Sequence, residues 1–177
     1  MNRFVMISGC SGGGKSTLLA ELAGRGFAVV EEPGRRVVAE ERARSGTALP
    51  WIDMAAFARR ALDLARGDYE AARHREGTVF FDRGLVDAAV ALGHATGEAW
   101  PAWLRDRCRY HRRVFLTPPW PEIYAGDAER RHDLPAAIAE YERLLAAYPA
   151  LAYEITILPK TSVAARAETI LAALDAA

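Results

Sequence analysis

At 177 residues, 51% hydrophobic and 26% charged, the chain has the size of a single domain with a sizeable core. Its 23 basic residues balance 23 acidic ones, so nothing calls for a polyanionic partner, and nucleic acid is disfavoured. Two cysteines, Cys10 and Cys108, make neither a disulfide framework nor a metal spacing; with no signal-like leader and no bilayer-length apolar run, the expectation is a cytoplasmic protein without a membrane partner.

The first element expected is a short buried strand, Phe4-Val5-Met6-Ile7. It runs into Gly9-Cys10-Ser11-Gly12-Gly13-Gly14-Lys15-Ser16-Thr17, which satisfies G-x-x-x-x-G-K-[ST], and then into a helix stopped at Gly24. Strand, glycine loop and helix in that order are the context the phosphate-binding motif requires. Glycines at 9, 12, 13 and 14 let the backbone bend and turn its N–H groups inward on phosphate oxygens, with Ser11 in the same turn. The helix start adds its positive dipole end. Lys15 is placed to reach the β- and γ-phosphates of ATP, and the Ser16 hydroxyl to bind Mg²⁺.

A second strand, Phe27–Val30, ends in Glu31-Glu32-Pro33-Gly34, and a charged helix follows over Arg35–Arg44. Asp53 is set to cap a long helix reaching about Arg75, with Gly67 a weak point at which it could bend. The third strand, Thr78–Phe81, delivers Asp82-Arg83-Gly84; helices are expected near 86–95 and 101–109. A fourth strand, Arg113–Leu116, stops at Thr117-Pro118-Pro119. Residues 120–133 lack periodicity and carry Glu129-Arg130-Arg131-His132-Asp133, placed where a lid would lie. Ile138, Tyr141, Leu144, Leu145 and Tyr148 form an apolar helical stripe, Tyr153–Leu158 a fifth strand, and Ser162 caps a last helix.

Alternation of strands and helices predicts an α/β three-layer sandwich of the P-loop NTPase type: five parallel strands with helices on both faces. In such sheets the ligand lies beyond the carboxyl ends of the strands. Asp82, directly after strand three, is placed as a second Mg²⁺-directed carboxylate; the alternative is a capping or salt-bridged aspartate. Glu32, directly after strand two, suits a carboxylate that takes a proton from an acceptor hydroxyl; the alternative is a surface glutamate paired with Arg35 or Arg36. Arg35 and Arg83 are placed either to clamp the acceptor or phosphate or to form ion pairs. Asp87, one turn beyond Arg83, would orient that arginine or bind substrate. Arg130 and Arg131 either close over the transferring phosphate or are solvated. Trp51, Phe57, Trp120 and Tyr124 either stack on a substrate ring or pack in the core, and the turn Pro159-Lys160-Thr161-Ser162 is positioned to line the nucleotide base.

Taken together, the phosphate loop, Glu32…Arg35, Asp82-Arg83-Gly84…Asp87 and the lid arginines resemble the bacterial ATP-binding proteins called predicted ATPases of the AAA type. These are similar in turn to the nicotinamide riboside kinase domain of NAD-regulating proteins and, more distantly, to deoxynucleoside kinases. The resemblance includes Leu116-Thr117-Pro118-Pro119-Trp120 and Leu158-Pro159-Lys160-Thr161-Ser162-Val163. It implies Lys15, Ser16 and Thr17 on phosphate and Mg²⁺, Asp82 near the metal and Glu32 as base. It further implies Arg83 on acceptor or phosphate, and Arg130 or Arg131 in the lid. One departure stands out: the chain has no glutamine, and Asn2 is its sole asparagine. The glutamine readout of a base edge used by deoxynucleoside kinases is therefore missing.

The leading expectation is an ATP-dependent small-molecule kinase, acting as a monomer or homodimer. A hydrolase or motor ATPase is the second reading, although Asp82 is followed by Arg83 rather than by a water-activating glutamate. A nucleotide-dependent sensor is the third. A GTPase is disfavoured, since no N-K-x-D signature occurs and Asp82-Arg83-Gly84-Leu85 fails D-x-x-G.

Overall fold

The computed structural model describes residues 3–106, 108–123 and 134–175. Five parallel strands form one sheet in the order β2-β3-β1-β4-β5, where β1 is Phe4–Gly9, β2 Ala28–Val30, β3 Val79–Asp82, β4 Arg113–Thr117 and β5 Glu154–Ile157. β1 is central, with Phe4 paired to Val79 on one side and Ile7 to Phe115 on the other. The strands are short, and β1 and β3 are buried along their whole length, as the middle of a sheet covered on both faces requires, whereas the edge strand β5 exposes Glu154 and Ile157.

Strand alternation divides the core in two. Phe4 and Met6 face one way with Phe81, Val114 and Leu116, while Val5 and Ile7 face the other with Phe80 and Phe115. The second face is covered by α1 (Lys15–Gly24) through Leu18, Leu19 and Leu22, and by α7 (Val163–Asp175) through Ala167 and Ile170. The first face is covered by α3 (Met54–Ala72), α4 (Leu85–Thr96) and α6 (Leu134–Ala150). α2 (Pro33–Ala43) packs on α3, where Val37 meets Ala61. The three-layer sandwich and strand count expected from the sequence are those observed.

Local differences have physical reasons. α3 runs through Gly67 to Ala72 without interruption, because Ala61, Ala65 and Tyr69 on either side of that glycine are held in the core. The helix expected over 101–109 is a single described turn, α5 (Trp103–Asp106). Beyond it Tyr110 is drawn under the sheet, and the His111 N–H donates to the Phe4 carbonyl at 2.6 Å. The buried face of α6 is Ala137, Tyr141, Leu144, Ala147 and Tyr148, so Ile138 lies at its margin. Asp53 and Ser162 do cap: their side-chain oxygens accept from the N–H groups of Ala56 (2.9 Å) and Ala165 (3.3 Å). No helix among the described residues is long and apolar enough to cross a membrane.

Candidate active site

β1 ends at Gly9, and the chain loops back to open α1 at Lys15. Gly14, at the helix N-cap, has a φ of 77°, a left-handed conformation open to glycine at little cost. At Gly13 the constraint is space: a Cβ there would stand 2.7 Å from Thr117 Oγ1. Thr117, the last residue of β4, is therefore the wall against which the loop is moulded. Its carbonyl accepts from Cys10 N–H at 2.8 Å, and its hydroxyl donates to the Ser8 carbonyl at 3.3 Å. Arg166, in the first turn of α7, buttresses the loop from outside, donating through Nη1 to Gly13 O at 3.2 Å beneath the Trp120 ring (5.4 Å).

Lys15 is buried and reaches across the loop to donate to Cys10 O at 3.0 Å. Burial lowers its pKa, as does nearby Arg83, while Asp82, Glu32 and Glu140 oppose that shift. Ser16 is exposed at the helix start, whereas Thr17 Oγ1 donates to Gly14 O at 3.0 Å. The Thr17 hydroxyl proton is thus committed within the helix's own turn, while Ser16 lines the cavity.

The strand-three turn supplies the next two groups. Asp82 is buried, and its Oδ1 has no hydrogen-bond partner among the described residues. Desolvation, helped by the Glu32 charge, pushes its pKa up to about 7. Such an orphaned oxygen, beside a pocket that Ser16 also lines, fits a hard divalent cation that keeps most of its waters. Among the described residues no group of three or more His, Cys, Asp or Glu side chains forms a metal cage. Arg83 has a φ of 57°, a strained conformation for a side-chain-bearing residue, and turns its guanidinium into the cavity.

Around Arg83 the acids converge. Its Nη1 lies 2.6 Å from Glu140 Oε1 and 3.6 Å from Asp87 Oδ1, its Nε 3.5 Å from Glu32 Oε1, and its Nη2 donates to Gly9 O at 3.1 Å. Burial opposes its charge, but Glu140, Glu32 and Asp87 outweigh that and hold the guanidinium ionised. Glu32 also accepts from Arg35 Nε at 3.1 Å. Asp87 is buried, accepting from Ser8 Oγ on one oxygen and from Tyr148 Oη (2.8 Å) on the other. Burial raises its pKa against the pull of Arg83, Ser8 and Tyr148. Asp87 therefore sits behind Arg83 as an anchor tied to β1 and α6.

One cavity of about 330 Å³, within the size range of small-molecule sites, joins Lys15, Ser16, Glu32, Arg83, Asp87 and Glu140, while Asp82 faces a neighbouring pocket that Ser16, Glu32 and Arg35 also line. Ser11, Lys15 and Ser16 line the cavity at the loop end, Glu32, Arg35 and Arg83 in the middle, and Phe57, Ala88 and Leu144 beyond. Glu31, by contrast, is exposed. Trp51 and Trp120 are half-buried, and Phe57 is the aromatic that lines the cavity. Tyr124, Arg130, Arg131 and His132, with most of the expected lid, lie outside the described residues.

Five participants were not singled out from the sequence. Ser8 lies just past the first expected strand, and Thr117 reads only as the stop after the fourth. Glu140, Arg143 and Arg166 read as polar positions on amphipathic helices. The only sequence signal for the last three was a helical register that points them inward, and such a register is ambiguous by one residue.

A family model described as an AAA domain matches residues 4–166. Solved structures with the same fold include deoxyadenosine kinase from M. mycoides with bound dCTP, at TM-score 0.69 and 14% identity, covering 98% of this chain and 100% of that one. The same kinase with bound dATP aligns at TM-score 0.62 and 15% identity, over 98% and 99% of the two chains. Shikimate kinase from Acinetobacter baumannii in complex with shikimate aligns at TM-score 0.58 and 17% identity, over 99% and 94%. No curated protein sequence matches the chain. At these identities the structural neighbours share the P-loop kinase fold with this chain.

Proposed function

This chain belongs to the AAA domain family, and from that premise we propose that it is an ATP- and Mg²⁺-dependent phosphotransferase that moves the γ-phosphate of ATP to a hydroxyl of a small molecule. The observation that carries the reading is the continuous cavity that begins at Lys15 and Ser16, passes the Glu32–Arg83 pair and opens into an apolar chamber. Hydrolysis needs room only for water, and a chamber of this size beyond the carboxylate suits a second substrate.

The residues divide the work by position. The loop amides from Ser11 to Gly14, with Lys15, hold the β- and γ-phosphates. Ser16 and the Asp82 carboxylate would hold Mg²⁺, which when bound spreads the charge of the phosphate oxygens. Glu32 orients the acceptor hydroxyl and takes its proton as the acceptor oxygen forms its bond to γ-phosphorus and the bond to the β-phosphate oxygen breaks. Arg83, fixed by Glu140 and Asp87, faces the transferring group and balances its charge. Arg35 holds Glu32 in place from the other side. Arg130 and Arg131 are assigned to closing the site during transfer. Adenine is assigned to the outer side of the loop, near Trp120, Arg166 and the 159–162 turn.

The test is ADP release from ATP–Mg²⁺ with and without nucleosides, nicotinamide riboside, sugars and ring alcohols. Release stimulated by an acceptor supports phosphotransfer. Release that ignores every acceptor makes the chain a hydrolase, and nucleotide binding without release makes it a sensor.

A further inference from the structure

Of the cations lining the acceptor cavity, two are already engaged by carboxylates: Arg83 by Glu140, Glu32 and Asp87, and Arg35 by Glu32. Lys15 belongs to the phosphate loop. Arg143, on α6 one turn beyond Glu140, lines the same cavity and has no carboxylate partner among the described residues. Its Nε is enclosed and has no hydrogen-bond acceptor among the described residues. A guanidinium is the side chain best shaped to grip a carboxylate or phosphate through two parallel hydrogen bonds. An enclosed donor without a partner is costly, and a ligand oxygen would relieve that cost.

The wall beside Glu32 fixes the middle of the ligand. The Phe57 ring closes on the first turn of α2 so tightly that a Cβ added at Gly34 would lie 3.2 Å from its Cζ and 3.7 Å from Glu32 Oε1. An aromatic ring thus stands next to the carboxylate that meets the hydroxyl. Met54, Ala58 and Ala61 on α3 continue that wall, with Ala88 and Ala91 on α4 also lining the space. Alanine faces leave room for a flat ring and offer it little to hydrogen-bond.

We propose that the acceptor is an anionic ring alcohol: its hydroxyl meets Glu32, its ring packs on Phe57, and its carboxylate or phosphate is held by Arg143. The assignment rests on the phosphotransfer reading above and adds the charge and shape of the acceptor. Arg143 is a specificity-determining residue here, since it acts at the end of the ligand away from the reacting hydroxyl.

The experiment compares matched acceptors that differ in one anionic group. The carboxylate arm uses shikimate against its methyl ester and 3-(hydroxymethyl)benzoate against benzyl alcohol; the phosphate arm uses 3-(hydroxymethyl)phenyl phosphate against 3-(hydroxymethyl)phenol, with the product identified as the ester of the hydroxymethyl group. ADP release with ATP–Mg²⁺ is read for wild type, Arg143→Leu and Arg143→Lys. The expected result is stimulation by the anionic member of at least one arm, with its KM raised tenfold or more in Arg143→Leu, partly restored in Arg143→Lys, and kcat changed less than KM. Which arm responds identifies the anion. Neutral members serving as well as their anionic partners, or an unchanged KM in Arg143→Leu, overturns the assignment and leaves phosphotransfer standing. Stimulation by neither member of any pair also overturns the assignment, and phosphotransfer is then decided by the wider acceptor panel above.

Discussion

Replacing Asp82 with asparagine should change how stability depends on pH, with a sign and size set by burial. In the folded chain desolvation, with Glu32 close by, holds this carboxyl at about 7, against an ordinary value of 3.8. Between those two values the folded protein keeps a proton that the unfolded chain has released. Stability is therefore lost as pH rises from about 4 to about 7, at up to roughly 1.4 kcal/mol per pH unit. The ceiling over the window is on the order of 4 kcal/mol. The side-chain amide of Asp82→Asn cannot ionise, so the loss is absent from the variant. Subtracting the two denaturation profiles, measured without divalent cations, cancels the titration of Asp87 and of the other acids that, unlike Glu32, do not sense the Asp82 charge. Wild type minus variant should fall steadily across that window and level off above it. Added Mg²⁺ should stabilise wild type at pH 8 and leave the variant unchanged. A difference that stays flat from pH 4 to 8 would refute the claim that a desolvated, unpartnered carboxylate waits there for a cation.

Glu32→Gln keeps the shape and the contact with Arg35 but removes the proton acceptor; acceptor-dependent kcat should drop about 10²–10⁴-fold while ATP affinity by calorimetry is retained. Equal kcat would remove Glu32 from that role. Gly13→Ala pushes a methyl to 2.7 Å from Thr117 Oγ1, so it should destabilise the fold by about 1–3 kcal/mol and weaken ATP binding. In a double-mutant cycle with Thr117→Gly the losses should be less than additive by at least about 0.5 kcal/mol; strict additivity would mean the loop is not moulded on β4. Arg130→Ala combined with Arg131→Ala should slow turnover about 10²–10³-fold with thermal stability nearly unchanged, and normal turnover would return both to the solvated surface.

Much of the architecture was legible because it rests on local patterns. Short apolar runs such as Phe4–Ile7 and Val79–Phe81 have few uses other than as buried parallel strands. The loop motif also fixes where the sheet delivers its ligands, and that is why Glu32, Asp82 and Arg83 stood out from chain position alone. What could not be read was the second partner of each group. Asp87 is held by Ser8 and Tyr148, 79 and 61 residues away, and Arg83 by Glu140, 57 residues away. Such pairings depend on how α6 crosses α4, which no local signal encodes. The buried face of α6 shows the same limit: its apolar stripe was visible, but rotation by one residue exchanges Ile138 for Ala137 and decides that Glu140 and Arg143 line the cavity. Gly67 failed as a bend because tertiary packing of Ala65 and Tyr69 outweighs a propensity cost of about 1 kcal/mol.

The fate of the γ-phosphate in water enriched with heavy oxygen tests the central claim most directly. If a hydroxyl beside Glu32 is the nucleophile, the phosphorus should appear as a phosphate ester of the acceptor with no solvent oxygen incorporated, at a rate that rises with acceptor concentration. Inorganic phosphate carrying one solvent oxygen, formed at the same rate whatever alcohol is present, would contradict it.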